Sequence, residues 1–330
     1  MNLKRVASTS SDGPLVTVAI VTYKSKPELP DCVNSVLASD VRVEIVIIDN
    51  DSRDGTLELA NELAIQHENI VVINSGSNLG LAAANNLVMP HAKGEFILML
   101  NPDTVVHRDT ISNMLSILIA DSEVGVVGPL NVYGDGSRCS SYQKFWNLWH
   151  VFVWRVLPYS LPRTMYDKWS RYREGEVLWV SGSCLLIRTA LFKAIGGYDP
   201  EFFLTIEDVC DLCRRVKQCD YKIVFTPRAE VVHYGGRSGS QVPILSLVAN
   251  FKGSVYYFRK YQGRIGASLA FGIILIGGAA MVLVKAMKAV AFRRDIERRG
   301  LRIYCSALWQ FGREGLNIAI SKRTEPDALK

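Results

Sequence analysis

Val16-Thr-Val-Ala-Ile-Val-Thr22, followed at once by Tyr23-Lys-Ser-Lys-Pro27, is the stretch on which the fold turns. Its first part is apolar, mostly β-branched and free of charge, and it reads as a strand buried on both faces. A dinucleotide-binding fold requires Gly-x-Gly-x-x-Gly in the turn after such a strand. No glycine stands there, which excludes that fold. Outward from this strand, the spacing of Leu29, Val33, Val36 and Leu37 predicts a helix over 27–38, with Pro30 near its start. A second buried strand over 43–48 stops abruptly at Asp49-Asn-Asp-Ser-Arg-Asp-Gly55. A helix over 56–67, a strand over 70–73 and a helix over 81–89 follow, the last opened by Asn78-Leu-Gly80. A fourth strand over 96–100 ends in Asn101-Pro-Asp103. Strict alternation of strands and helices predicts a Rossmann-like, mostly parallel sheet with helices on both faces, an α/β fold.

In such a sheet, ligands gather at the carboxyl ends of the strands. Tyr23, Asp49 and the pair Asn101 and Asp103 all stand there. Singly, each is an ordinary turn former; together they mark a site. Asp103 can reach a hard cation such as Mg²⁺ or Mn²⁺, or simply cap a turn. Glu207-Asp208 enters a helix behind Thr205, as a capping box or as a carboxylate pair suited to general-base work. His233 leaves a short apolar run into Gly235-Gly236-Arg237, as a metal ligand, a phosphate donor or a structural histidine. Further predicted elements are a strand over 177–187 and a helix over 189–195.

The chain has 330 residues, 48% hydrophobic and 21% charged, with net charge +6. That composition suits a globular protein with one greasy segment and excludes a disordered or collagen-like chain. The 7 cysteines form an odd, scattered set rather than a disulfide framework, and they suit a reducing compartment. Cys210 and Cys213 form a lone C-x-x-C without a second pair, so they read as helix residues. The polar start, 1–13, is expected to be disordered and to lack a cleavable signal peptide.

The ordered series V-T-V-A-I-V-T-Y, I-I-D-N-D-S-R-D-G-T, N-L-G-L-A-A-A-N-N and L-M-L-N-P-D-T continues through W-V-S-G-S-C-L-L-I-R, I-G-G-Y-D-P-E-F-F, E-D-V-C-D-L-C-R-R and H-Y-G-G-R-S. This series resembles the family 2 inverting glycosyltransferases, in particular their bacterial rhamnosyltransferase-like branch of cell-envelope polysaccharide enzymes. The resemblance covers about 14–240 and implies a GT-A fold, with a nucleotide-binding half (14–125) and an acceptor half (126–240). It implies transfer of a sugar, L-rhamnose from dTDP-rhamnose before other donors such as UDP-N-acetylglucosamine or UDP-galactose. A catalytically inactive sugar-nucleotide-binding scaffold is the alternative of another class. Carried onto matching positions, the resemblance places Thr22, Tyr23, Asp49, Asn78, Gly80, Asn101 and Asp103 at the nucleotide. It places Asn85, Trp179, Ser181 and Gly182 at the sugar or acceptor, Asp208 and Glu207 in catalysis, and Asp103 and His233 at a divalent metal. Two positions depart from the pattern. Asn101 replaces the first carboxylate of the D-x-D motif, and Lys24 stands where asparagine is common. An aromatic stretch holding Trp146, Trp149 and Trp154 ahead of Pro158 and Pro162 is either local core, an acceptor-side surface or a membrane-contacting flap.

The C-terminal region, 241–330, carries the concentrated charge. Residues 265–284 hold no charged side chain, and that length can cross a bilayer. Arg259, Lys260 and Arg264 precede the run; Lys285, Lys288, Arg293, Arg294, Arg298, Arg299 and Arg302 follow it, against Asp295 and Glu297 alone. A simple span would export a strongly basic tail, against the positive-inside tendency. An in-plane or re-entrant helix on an anionic membrane surface satisfies both flanks; a buried core helix is the alternative. A helical, membrane-associating extension is therefore expected. It would place the enzyme in the cytoplasm at the inner face of the cell membrane, with a lipid-linked or glycan acceptor. No nucleic-acid partner is expected, because nothing upstream supports one.

Overall fold

A computed structural model describes residues 15–139, 141–143, 147–156, 173–205, 207–235, 243–292 and 295–320. The expectations for 1–13, Trp146, Pro158, Pro162, Arg237, Arg293 and Arg294 lie outside the described residues, as does that for the side chain of Trp154. The chain forms two compact units.

The first unit is built on a sheet. Its elements begin with β1 (Val16–Thr22), α1 (Leu29–Leu37), β2 (Val43–Asp49), α2 (Thr56–Gln66), β3 (Ile70–Asn74), α3 (Leu81–Asn86), β4 (Phe96–Leu100), β5 (Thr104–Val106), α4 (Thr110–Ala120) and β6 (Val124–Val132). Strands β3, β2, β1 and β4 pair in parallel in that order. Every residue of β1 and β4 is buried, as strands covered on both faces must be. Because side chains alternate along a strand, Val16, Val18 and Ile20 enter one core cluster with Leu29, Val33 and Val36 of α1 and Ile111, Met114 and Leu118 of α4. Burial of each such side chain contributes about 1.5–3 kcal/mol.

The second half of the sheet is mixed. After β7 (Tyr142–Gln143) come β8 (Gly175–Glu176), β9 (Trp179–Val180), β10 (Cys184–Arg188), α6 (Thr189–Ala194), α7 (Glu207–Gln218) and β11 (Lys222–His233). Strand β10 runs antiparallel between β4 and β6, and β11 pairs in parallel with β6 and antiparallel with β5. The single strand expected over 177–187 is two short strands, β9 and β10, separated by a turn at Ser181-Gly182-Ser183. The hydroxyl of Ser181 accepts the N–H of Ser183 at 3.3 Å, a local side-chain bond that competes with the ladder.

The second unit contains α5 (Leu148–Val156), α8 (Pro243–Phe292) and α9 (Asp295–Ile320). Helix α8 is interrupted at Gly263, whose φ of 68° and ψ of −162° lie outside the helical region. Phe311 of α9 sits between Phe251 and Phe271 of α8, with ring centroids 5.3 Å and 5.2 Å away. Of the aromatic stretch, Val151 and Val153 are buried whereas Trp149 is exposed and stacks on Phe152. Trp149 and Phe152 thus stand outward, and Val151 and Val153 turn inward.

Candidate active site

The carboxyl ends of β1, β2 and β4 lie side by side, because Thr22 pairs with Asp49 and Ile20 with Leu100. Asp49 is 1% exposed and held from two sides. Its carboxylate accepts the Thr22 hydroxyl at 3.1 Å and the Ser52 N–H at 3.1 Å. Tyr23 follows in the β1–α1 turn, with the Lys24 ammonium 5.4 Å from its ring centre. Lys24, Asp51 and Arg53 all hold positive φ, between 50° and 65°. Such left-handed backbone at non-glycine residues concentrates where a loop is shaped for function.

Asn50, which the sequence reading passed over, organises the neighbouring loop. It is 3% exposed. Its amide donates to Asn78 Oδ1 at 3.1 Å, and its carbonyl accepts the Leu79 N–H at 2.9 Å. Asn78 in turn accepts the N–H of Gly80 at 3.0 Å. Gly80 itself has φ 81°, and a Cβ there would lie 2.5 Å from the carbonyl oxygen of Phe203. Asn85 is buried one turn further along α3.

The turn after β4 meets the far half of the sheet. Asn101 donates its N–H to the Ser183 carbonyl at 2.8 Å. Ser183 also donates its hydroxyl to Asn131 Oδ1 at 3.0 Å, and its hydroxyl lies 3.0 Å from that of Ser181. Gly182 faces the side chain of Val209 at ordinary contact distance, so this turn adjoins the residue that follows Asp208. Trp179 is buried and pairs with Gln143.

Asp103 and His233 come together because β5 and β11 pair antiparallel with Thr104 opposite His233. His233 Nε2 lies 3.3 Å from Asp103 Oδ1. Burial opposes the imidazolium, but hydrogen bonds to Asp103 and Cys139 and their charge outweigh it, raising the His233 pKa to about 9. The Asp103 carboxylate is a donor that fits a hard divalent cation, and the His233 imidazole could join it only after giving up the proton it shares with Asp103. Among the described residues no group of three or more His, Cys, Asp or Glu side chains suited to a metal occurs. Cys210 and Cys213 are buried thiols of α7 held in no disulfide, helix residues as their lone spacing implied.

The two acids at the start of α7 diverge. Asp208 is 4% exposed, and its carboxylate accepts the N–H of Val209. Burial and then the charge of Asp208 push the Tyr198 phenol well up. Glu207 instead accepts the hydroxyl of Ser254 on α8. Thr205 caps the helix by accepting the Glu207 N–H at 3.2 Å, one position earlier than the expected capping box.

Comparison with known proteins follows the same lines. The sequence profile described as Glycosyl transferase family 2 matches residues 17–196. The N-acetylglucosaminyl-diphospho-decaprenol L-rhamnosyltransferase of Mycobacterium tuberculosis is 31% identical over 74% of this chain and 83% of its own. Rhamnosyltransferase WbbL of Escherichia coli is 25% identical over 67% of this chain and 83% of its own. Among solved structures, GalNAc-T7 with UDP, GalNAc and Mn²⁺ matches with a TM-score of 0.57 at 18% identity, over 76% of this chain and 48% of that one. The mannosyltransferase PcManGT of Pyrobaculum calidifontis, with GDP-Man and Mn²⁺, matches at 0.52 and 19% identity, over 92% and 87%. These likenesses show the GT-A fold.

Proposed function

Because the chain belongs to glycosyl transferase family 2 and is a glycosyltransferase, we propose that it transfers L-rhamnose from dTDP-rhamnose to a hydroxyl of a lipid-linked sugar, with inversion at the anomeric carbon. The observation that carries this reading is the convergence of the β1, β2 and β4 turns with the Asp103–His233 pair. Rhamnose and a polyprenyl-diphosphate acceptor are supported by the name of the mycobacterial relative, and such an acceptor sets the work at the inner face of the cell membrane.

Asp49, Thr22, Tyr23 and the Asn50–Asn78–Gly80 loop bind and orient the nucleoside, so that the anomeric carbon faces the incoming hydroxyl. Asp103 and His233 would hold a divalent ion, which when bound supplies positive charge to the leaving diphosphate. Protonated, His233 itself offers positive charge at that position. The turn holding Ser181 and Gly182, with Trp179 and Asn85, shapes the sugar and acceptor side. Asp208 takes the proton of the acceptor hydroxyl. The acceptor oxygen then bonds to the anomeric carbon, and the bond to the diphosphate oxygen breaks with its electron pair leaving on dTDP. Glu207, the second acid of the proposed catalytic pair, accepts the Ser254 hydroxyl, and we assign it a supporting place beside Asp208.

Asp208→Asn tests the assignment. Transfer should fall by at least about a thousandfold, in the range of a lost general base plus the lost charge, while dTDP affinity measured by calorimetry stays within a few-fold. Retained turnover would remove Asp208 from the role of base.

A further inference from the structure

Beyond the transferase reading, the helical unit carries a surface whose partner can be assigned. Past the break at Gly263, the second arm of α8 exposes Ile265 (78%), Leu269 (51%), Ile276 (68%), Leu283 (66%), Met287 (64%) and Val290 (76%). At 100° per residue these six fall within about 60° of one another, a single unbroken apolar stripe. The opposite side of the arm is taken by α9. Phe271 packs on Phe311, Gly278 lies under Leu308, and the Lys285 ammonium sits 5.8 Å from the ring centre of Tyr304.

Two features decide what covers the stripe. The first is the partner helix. A vertical span of α8 would draw the packed α9 into the hydrocarbon, together with Asp295, Glu297, Arg298, Arg299, Arg302, Arg313 and Glu314. Charged side chains at membrane depth are costly and rare outside pairs and pores. The second feature is the sign of the flanks. Arg264 and Lys288 stand exposed at the two ends of the stripe, and the nearest part of α9 adds Arg298, Arg299 and Arg302. A second copy of the chain laid on this face would oppose like charges, whereas lipid phosphates would neutralise them.

We infer that the α8 arm 264–292 lies in the plane of an anionic membrane leaflet, its stripe among the acyl chains and its basic ends among the phosphates, with α9 on the water side. The surface is a lipid-docking face and not a transmembrane segment. Its position and its test are independent of sugar transfer.

Flotation of the full-length protein with vesicles of phosphatidylglycerol and phosphatidylcholine reads the contact directly. Wild type should float with these vesicles and tenfold less with phosphatidylcholine alone. Combining Leu269→Asn, Ile276→Asn and Leu283→Asn, all on exposed positions, should lower vesicle partitioning at least tenfold with an unchanged thermal midpoint. Equal flotation of that variant overturns the inference. So does conversion of a wild-type dimer into a monomer by the same substitutions without loss of flotation, which would assign the stripe to a second copy. One cysteine added at Arg264→Cys or at Lys288→Cys, each in a background where the half-exposed and exposed native thiols are removed (Cys139→Ser, Cys219→Ser, Cys305→Ser), should react in both cases with a membrane-impermeant maleimide added outside the vesicles. Protection of one of the two marks a span and refutes the in-plane placement.

Discussion

Asn50 and Asp103 show how much a single side chain carries here. Asn50 uses both ends of its amide to hold the loop that carries Asn78 and Gly80, while its N–H donates to Thr22 at 2.8 Å. Removing it leaves buried donors and acceptors without partners. Asn50→Ala should therefore cost about 1–3 kcal/mol of stability and raise the KM for the donor severalfold, with the acceptor KM unmoved. Chemical denaturation and steady-state kinetics read the two effects. In sequence, Asn50 looks like one turn former within Asp49-Asn-Asp-Ser, because its meaning depends on a loop that begins 25 residues later and folds back on it. Asp103 was legible as a ligand candidate from its place after an apolar strand. Its partner His233 was legible only as another candidate, since nothing local says that the end of β11 pairs with β5.

At the scale of elements, the parallel half of the sheet was readable almost in full. Strands β1 to β4 are dominated by apolar, mostly β-branched residues, the pattern that strands of a covered parallel sheet leave. The mixed half was less so. The turn at Ser181-Gly182-Ser183 interrupts what reads as one apolar run, and it does so through hydroxyl bonds to Asn131 and the main chain. Glu207 and Asp208 are neighbours in sequence, but adjacent helix residues point about 100° apart, and Glu207 accepts the Ser254 hydroxyl. The loop into α3 provides the element-level test. Gly80 combines φ 81° with the Phe203 carbonyl oxygen 2.5 Å from an added Cβ. Gly80→Ala should cost at least about 1–3 kcal/mol, lowering the melting midpoint by several degrees, and should weaken donor binding through the displaced loop. A variant that melts and binds as wild type would show that the loop relaxes freely.

Across the whole molecule, ligand binding should be visible as stability. On the proposed function, a donor nucleotide and a divalent ion would bind the folded sheet unit and not the unfolded chain. At a concentration one hundred times its Kd, dTDP with Mn²⁺ adds about 2.7 kcal/mol, which corresponds to a rise of about 5–10 °C for a unit of this size. Differential scanning fluorimetry with dTDP alone, Mn²⁺ alone and both separates the contributions. In Asp103→Asn, which keeps a hydrogen-bonding group toward His233 but removes the charge, the extra rise given by Mn²⁺ should vanish while that of dTDP alone persists. A full Mn²⁺-dependent rise in this variant would move the metal away from Asp103. GDP and UDP in the same panel report the base preference.

Amino-acid order alone determined the alternation of buried strands and helices, the polar turns at the strand ends, and the family those turns belong to, because all of these are local patterns repeated along the chain. It also determined that the C-terminal region pairs a long uncharged run with a basic neighbour. Tertiary structure decided which of the marked residues meet. Antiparallel pairing of β5 with β11 made a pair of Asp103 and His233, and the fold-back of the 75–80 loop made Asn50 its anchor. Packing of α9 along α8 decided which side of an apolar helix stays uncovered. In each case the deciding contact joins residues far apart in the chain, and such contacts depend on register and packing that no local pattern encodes.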